Sequence, residues 1–358
     1  MIMHSVLGRD KVCVVYKAEI RRRNKQQPLS KPLNMSTELN RRAFVKGALL
    51  STAGLALTLD SQGQNPPPAS GSISPAVGGM PRGKISNLEV SRLLLGGNLL
   101  THYTHSRDLQ YVYRLAEHYN TDEKIMETLA LAEKHGINTL SMHNPHHPMS
   151  VLRRYRKERG GKIQWIICPT AQIDADLGFY KKEVESLLDD GCEAIYVWGV
   201  HSDALVAKGK IDLLAKAVEL IKSYKVPAGV GAHALDVVKA CEKEGIRNDF
   251  YIKTFHHHDY PTGPKPDQIK GAYSEFPGYW CSHPRETAEF MGSISKPWIA
   301  FKVMAAGAIP PKSAFPYVFS RGADFILAGM FDFEIAEDAE LIKGSLAGVK
   351  DRSRPWCA

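Results

Sequence analysis

Residues 121–142 read TDEKIMETLALAEKHGINTLSM. Thr121 stands where an N-cap hydroxyl belongs, and Ile125, Leu129 and Ala132 recur at helical spacing to make one apolar face. Gly136 ends the helical pattern, and Thr139–Met142 follows as a short apolar strand run. This is one helix–turn–strand unit, and the rest of the body repeats it. Ile211–Tyr224 has the same design, with Ile211, Leu214, Ala215, Val218 and Ile221 on the inward face. The strand runs are Arg92–Gly96, Thr139–Met142, Gln164–Cys168, Ala194–Trp198, Ala228–Gly231, Phe250–Thr254, Trp298–Val303 and Phe325–Ala328. Eight β–α units in about 275 residues is the size of a (β/α)8 TIM barrel. A doubly wound open sheet would need fewer strands and a Gly-rich first turn, and no GxGxxG occurs. The predicted fold is therefore α/β, a single TIM barrel over 84–358, with 259–283 as a Pro/Gly/aromatic loop.

The chain of 358 residues has a formal net charge of +8, which invites a nucleic-acid reading. Residues 1–83 hold 12 Lys/Arg and 4 Asp/Glu, while 84–358 holds 34 of each sign. The body is neutral and carries no basic-aromatic stripe, so nucleic acid is not an expected partner. The basic excess belongs to the N-terminal segment. There Arg41-Arg42, with Phe44 and Lys46, precedes an apolar run from Ala48 to Leu59. A basic segment before a moderate apolar run is a secretory signal, here of the twin-arginine type. The run makes roughly 18 Å of helix, too short to span a ~30 Å hydrocarbon core comfortably.

Met35 is a suitable start for such a signal. Residues 1–34 read as a basic extension or misread start, 35–60 as the signal, and 61–83 as a Pro/Gly/Ser linker. No clean cleavage site stands out. The expected location is exported, either periplasmic or membrane-associated through an uncleaved signal, with the twin-arginine translocation machinery as a partner. Five of the six cysteines follow the signal, without CxxC pairs, which argues against a disulfide framework.

In a TIM barrel the residues just after each strand form the active face. Here those residues are Asn98, His102 and His105; His143, His146 and His147; Cys168 and Thr170; His201 and Asp203; His233; Lys253 and His256–His258; Lys302; and Asp332 and Glu334. Histidine both ligates metals and exchanges protons near neutral pH. His201, His233 and His257, from three strand ends, are the candidate ligands of a divalent metal; the plain reading is that loop histidines cap and hydrogen-bond. Lys253 and Lys302 interrupt apolar strand runs, which suits a lowered-pKa nucleophile or base, or equally a structural ion pair. Asp332 would orient a ligand. Gly307 and Gly329 end the seventh and eighth units, where backbone amides of phosphate-binding barrels hold a phosphate.

Three stretches resemble aldo/keto reductases: KISNLEVSRLLLGGN (84–98) the family's opening, HGINTL (135–140) its passage into the second strand, and AIYVWGVHSD (194–203) its fourth strand. The resemblance implies the same barrel and places His201 where the family keeps its active-site histidine. Other machinery departs from the pattern. Ser141–His147 stands where the family has Asp-Thr-Ala and a catalytic Tyr, and Cys168-Pro169-Thr170 where it has a catalytic Lys. The tail KPWIAFKVMAAGAIPP, with GADFILAGMFDFEIAED, is also similar to that of a group of twin-arginine-exported barrel proteins.

The leading expectation is an enzyme acting on a small polar, sugar-like substrate by metal-assisted or acid–base lyase, isomerase or hydrolase chemistry. His201, Lys253, Lys302 and Asp332 would be its catalytic residues. The alternatives are an aldo/keto-type NAD(P)-dependent oxidoreductase and a non-catalytic periplasmic binding protein.

Overall fold

The computed structural model describes residues 79–358. The predicted extension and signal, and most of the predicted linker, lie outside the described residues. A hairpin of β1 (Arg82–Ile85) and β2 (Leu88–Ser91) comes first. The eight remaining strands are β3 (Leu93–Gly96), β4 (Thr139–His143), β5 (Gln164–Cys168), β6 (Ala194–Val197), β7 (Ala228–Ala232), β8 (Phe250–Thr254), β9 (Trp298–Phe301) and β10 (Phe325–Gly329). All are parallel and close into a barrel in sequence order, β10 pairing β3. This is the predicted TIM barrel, with each strand within two residues of its expected place.

The helices that position the site are α1 (Tyr111–Tyr119), α2 (Asp122–Lys134), α3 (His146–Arg159), α4 (Gly178–Asp189), α5 (Gly199–Ala207), α6 (Ile211–Ser223), α7 (Leu235–Lys243), α8 (Pro284–Gly292), α9 (Pro311–Ser320) and α10 (Ile335–Gly348). Thr121 caps α2 as expected, its Oγ1 accepting from the Lys124 amide at 3.3 Å. Gly136 follows in the left-handed region, at φ 83°. On α6, Leu214, Ala217, Val218 and Ile221 are buried, with Ala217 deeper than the expected Ala215.

Strand alternation sorts the apolar residues into two cores. Leu94, Ile166, Tyr196, Phe250, Ile299, Phe325 and Leu327 fill the barrel interior, and Ile85 and Val90 of the hairpin join them as its floor. Leu93, Leu95, Trp165, Ile195 and Val230 point the other way, against the helices. Each such side chain contributes about 1.5–3 kcal/mol by leaving water. At the top, β3 and β10 approach closely through glycines. A Cβ at Gly96 would lie 2.8 Å from the Gly329 nitrogen, so only glycine fits there.

The C-terminal segment closes the same floor. Asp324, fully buried before β10, accepts from the Trp298 amide at 2.9 Å, Arg354 Nη1 at 2.8 Å and the Cys357 amide at 2.9 Å. Arg92 donates to the Asp324 carbonyl at 3.0 Å, and the Trp356 ring lies between the guanidinium groups of Arg92 and Arg352. The floor is thus sealed by a charged network, and chemistry belongs to the opposite mouth.

Candidate active site

Strand β9 ends one residue before Lys302 because Lys302 turns into the left-handed region, at φ 55°. The turn carries its side chain out of the strand run. Its ammonium lies 5.0 Å from the Trp280 ring centre and 5.4 Å from that of Phe301, with no hydrogen bond or ion pair to any described residue. Burial pushes its pKa down to about 7, and the nearby Glu275 charge offsets this only in part. The expected structural ion pair is not formed by Lys302. Nor is it formed by Lys253, which is 1% exposed and donates to the carbonyl and hydroxyl of Thr254 at 2.8 and 3.2 Å. Burial lowers the Lys253 pKa as well.

Two histidine–carboxylate pairs flank Lys302. His105, from the loop after β3, meets Glu275 with Nδ1 2.5 Å from Oε1. Burial and the Lys302 charge hold His105 below the ordinary histidine range despite its partner, so the neutral ring donates to the carboxylate. Burial alone would raise Glu275, but the His105 hydrogen bond and the charge of Lys302 keep it ionised below the usual range. The second Glu275 oxygen is buried and has no hydrogen-bond partner among the described residues. His233, after β7, places Nδ1 2.7 Å from Asp203 Oδ2, and the amides of His233 and Ala234 also donate to Asp203. The pair fixes the His233 ring, which meets Tyr273 at 4.5 Å. Burial lowers the His233 pKa too.

Glu275, Tyr273 and Trp280 all come from the connection 255–283, of which the sequence predicts 259–283 as a Pro/Gly/aromatic loop. A connection that long inside a compact barrel is itself a functional signal. The His256–His258 triplet explains how it is held. Buried His256 accepts at Nε2 from the Trp280 and Cys281 amides, at 2.9 and 3.3 Å, and His258 bonds the Cys281 carbonyl at 2.6 Å. Tyr260 adds a bond to the Gly278 carbonyl at 2.7 Å. Burial drives His256 down to about 3, so the staple stays neutral.

His201 lies on α5, 7% exposed, edge-on to Trp198 at 5.2 Å, and its buried Nδ1 has no hydrogen-bond partner among the described residues. His143 stacks on Trp198 at 6.1 Å, and burial takes its pKa down to about 4. Asp332 spends its two oxygens on Tyr119, at 2.7 Å, and Lys124, at 3.2 Å, tying the end of the last strand to α1 and α2. Gly329 ends β10. Gly307, at φ 80°, follows Ala305 and Ala306, which are also left-handed, and no atom lies within 4 Å of where its Cβ would be.

The expected metal centre is overturned. Among the described residues no three His, Cys, Asp or Glu side chains gather as a metal would require. His257 turns outward, packs on Tyr317 at 4.9 Å, and lines a separate cleft of about 720 Å3 with Asp259, His283 and Arg285. His233 is committed to Asp203, and His201 stands against Trp198. Successive residues in an extended segment point to opposite sides, which is why the triplet divides its roles.

The architecture and mouth define a TIM-barrel protein with amine and imidazole groups converging at the C-terminal face. No family model and no curated relative matches the chain. Solved structures with this barrel include an aldo-keto reductase of Bacillus halodurans in its holo form. It is 11% identical, with 74% of this chain and 91% of that one covered and a TM-score of 0.50. A Pseudomonas aeruginosa protein provisionally assigned as an aldo-keto reductase is 16% identical, covering 74% and 95%, with a TM-score of 0.49. A third, solved in complex with NADPH, is 11% identical, covering 77% and 95%, with a TM-score of 0.49. The expected lyase, isomerase or hydrolase chemistry gives way here. Its metal ligands, His201, His233 and His257, do not assemble among the described residues, which hold no group of three His, Cys, Asp or Glu side chains that could bind a metal.

Proposed function

We propose that this barrel is an NAD(P)-dependent oxidoreductase that interconverts a small carbonyl compound and its alcohol. The observation that carries the reading is Lys302, an unpaired amine of lowered pKa at the mouth between the His105–Glu275 and His233–Asp203 pairs. The residues beyond it suit a dinucleotide. The amides of Ala306 and Gly307 have no acceptor among the described residues, and the space beside Gly307 is open. Together with Gly329 they would hold the diphosphate through backbone contact. When bound, the nicotinamide supplies or takes a hydride at the carbonyl carbon.

The chain's own residues do the rest. Lys302 in its ammonium form donates a proton to the carbonyl oxygen as negative charge grows there, and recovers one from solvent. Glu275, oriented by His105, supports the ammonium form. Asp203 holds His233 in one tautomer beside the substrate space. Lys253 is a positioning residue through Thr254, whose hydroxyl bonds both Lys253 and the Trp280 carbonyl. His201 and Trp198 wall the side beneath β6, while Asp332 anchors the last loop.

Titration of the protein with NADH and NADPH, followed by quenching of Trp198 and Trp280, tests the reading. Saturable quenching by either is expected, and silence with both overturns it. Gly329→Val provides the matching variant. A Cβ there would meet Leu99 only at 3.7 Å, an ordinary contact, so the fold tolerates it. Its branched side chain obstructs the backbone approach of the diphosphate. Cofactor affinity is expected to fall at least about tenfold, the loss of one good charge-assisted contact, with an unchanged unfolding midpoint.

Residues 35–60 are part of the same proposal as a twin-arginine export signal, on the strength of Arg41-Arg42 and the apolar run after them. A folded exported protein carries its bound cofactor with it. Fractionation of expressing cells, with Arg41→Lys and Arg42→Lys together retaining the protein in the cytoplasm, is the expected result.

A further inference from the structure

The two strand-end lysines differ in what they leave free for chemistry. Lys253 Nζ is sealed and donates to the two oxygens of Thr254, at 2.8 and 3.2 Å. Lys302 is half-buried, and its Nζ makes no hydrogen bond or ion pair among the described residues, yet it is not sealed from solvent. The left-handed turn at φ 55° leaves this amine 5.0 Å from the Trp280 ring centre. His105 lies against the same indole, its ring centre 5.6 Å away. One shared ring thus carries both an amine and an imidazole. The bond from His105 Nδ1 to Glu275 Oε1, at 2.5 Å, puts the proton of the neutral ring on Nδ1 and leaves a lone pair on Nε2. No described residue donates to that Nε2.

We infer that Lys302 has a second activity, the reversible capture of an aldehyde or ketone as an imine, with His105 carrying the protons. This goes beyond the oxidoreductase reading, in which the same residue acts as an ammonium, and it needs no nicotinamide. The free amine adds to the carbonyl carbon, so that C–N forms and the π pair moves to oxygen. His105 Nε2 takes a proton from the nitrogen and delivers it to that oxygen, giving the carbinolamine. A second proton follows the same route as the nitrogen lone pair forms C=N and the C–O bond breaks. The products are an imine and water, and nothing is oxidised or reduced.

Each neighbour suits that step. Burial lowers the Lys302 pKa and so maintains free amine near neutral pH, as an amine nucleophile requires. Glu275 supports the imidazolium that His105 becomes between the two transfers. Trp280 and Phe301, whose ring centres lie 5.0 and 5.4 Å from Nζ, favour a carbonyl compound with apolar substituents. Lys253 is excluded from the same chemistry, because its amine is sealed and bonded.

Reductive trapping tests the inference. The full chain is incubated at pH 7 with propanal and enough cyanoborohydride that imine formation limits the rate, and alkylation of each lysine is followed by peptide mass mapping. Lys302 is expected to react at least about tenfold faster than the exposed Lys225, and Lys253 to stay unmodified. His105→Phe keeps a ring against Trp280 but removes the proton carrier. It should slow alkylation of Lys302 by about tenfold or more and leave Lys225 unchanged. Alkylation of Lys302 no faster than of Lys225, or a rate that His105→Phe leaves unaltered, overturns the inference. The comparison of lysines within the unmutated protein decides even if the variant folds poorly. Because no nicotinamide is present, failure here is separate from a failure of NADH and NADPH to bind.

Discussion

Lys302→Met is expected to lower kcat/KM for carbonyl reduction by about 10²–10⁴-fold, the contribution of a positioned general acid. Quenching by NAD(P)H should stay within about twofold of the parent, because the proposed cradle at Ala306, Gly307 and Gly329 is built from backbone. The pH profile gives an independent check. Reduction needs the ammonium form, and burial has moved Lys302 down to about 7. Reduction should therefore fall about tenfold per pH unit above 7, while alcohol oxidation, which needs the free amine, rises through the same range. Lys302→Arg keeps the charge but holds its proton too tightly to donate it; it is expected to stay inactive and to lose the inflection near 7. A variant retaining a third of the parental rate would remove Lys302 from the mechanism.

The same residue has a stability signature. An amine whose folded pKa lies below its ordinary 10.5 binds fewer protons in the folded than in the unfolded chain between about 7 and 10.5. Its contribution therefore makes stability rise with pH across that window. The penalty is fully present below 7, where Lys302→Met should stabilise most. Gain of stability with loss of activity is the mark of a functional charge rather than a structural one.

Asp324→Ala should be the most damaging single change to the fold, costing about 3–5 kcal/mol. It removes the acceptor of the Trp298 and Cys357 amides and of Arg354, all at 2.8–2.9 Å. Arg354 is 1% exposed and has no other carboxylate within ion-pair distance among the described residues, so its charge would be left buried and uncompensated. Arg92 and Arg352 would lose the nearby negative charge as well. Urea unfolding at pH 7 checks this. A loss below 1 kcal/mol would mean that the floor network is dispensable. Deleting 352–358 should cost a similar amount, since it removes the other half of the same network.

The barrel was legible because parallel strands are covered on both faces and so read as unbroken apolar runs such as Gln164–Cys168 and Phe325–Gly329. Helix signals were equally local, as Thr121 and Gly136 show at the two ends of α2. One strand limit was not. The apolar run continues to Val303, but the chain leaves the sheet at Lys302 by turning left-handed.

The site was only partly legible. Sequence reading placed Lys253, Lys302, His201 and His233 at strand ends, and the structure puts Lys302 and His233 in one electrostatic group. It also led to a metal centre that does not form, because strand-end position says nothing about which way a loop histidine faces. His105 and Glu275 are 170 positions apart, and Asp203 and His233 are 30 apart. No local spacing announces such pairs. The first joins segments after β3 and β8, which are not neighbours in the barrel, and the second joins those after the adjacent β6 and β7; both exist only because barrel closure brings the segments together.

By itself, then, the sequence determined that the body is an electrically balanced eight-stranded barrel and that its basic excess lies in the leading segment. Both follow from composition and short-range periodicity, which each residue carries wherever the chain goes. Tertiary structure alone decided that the Lys302 amine has no hydrogen-bond partner among the described residues, that Glu275 pairs with His105, and that His256 and His258 staple the loop while His257 packs on Tyr317. Those are properties of burial and distance, and they arise only once the barrel closes.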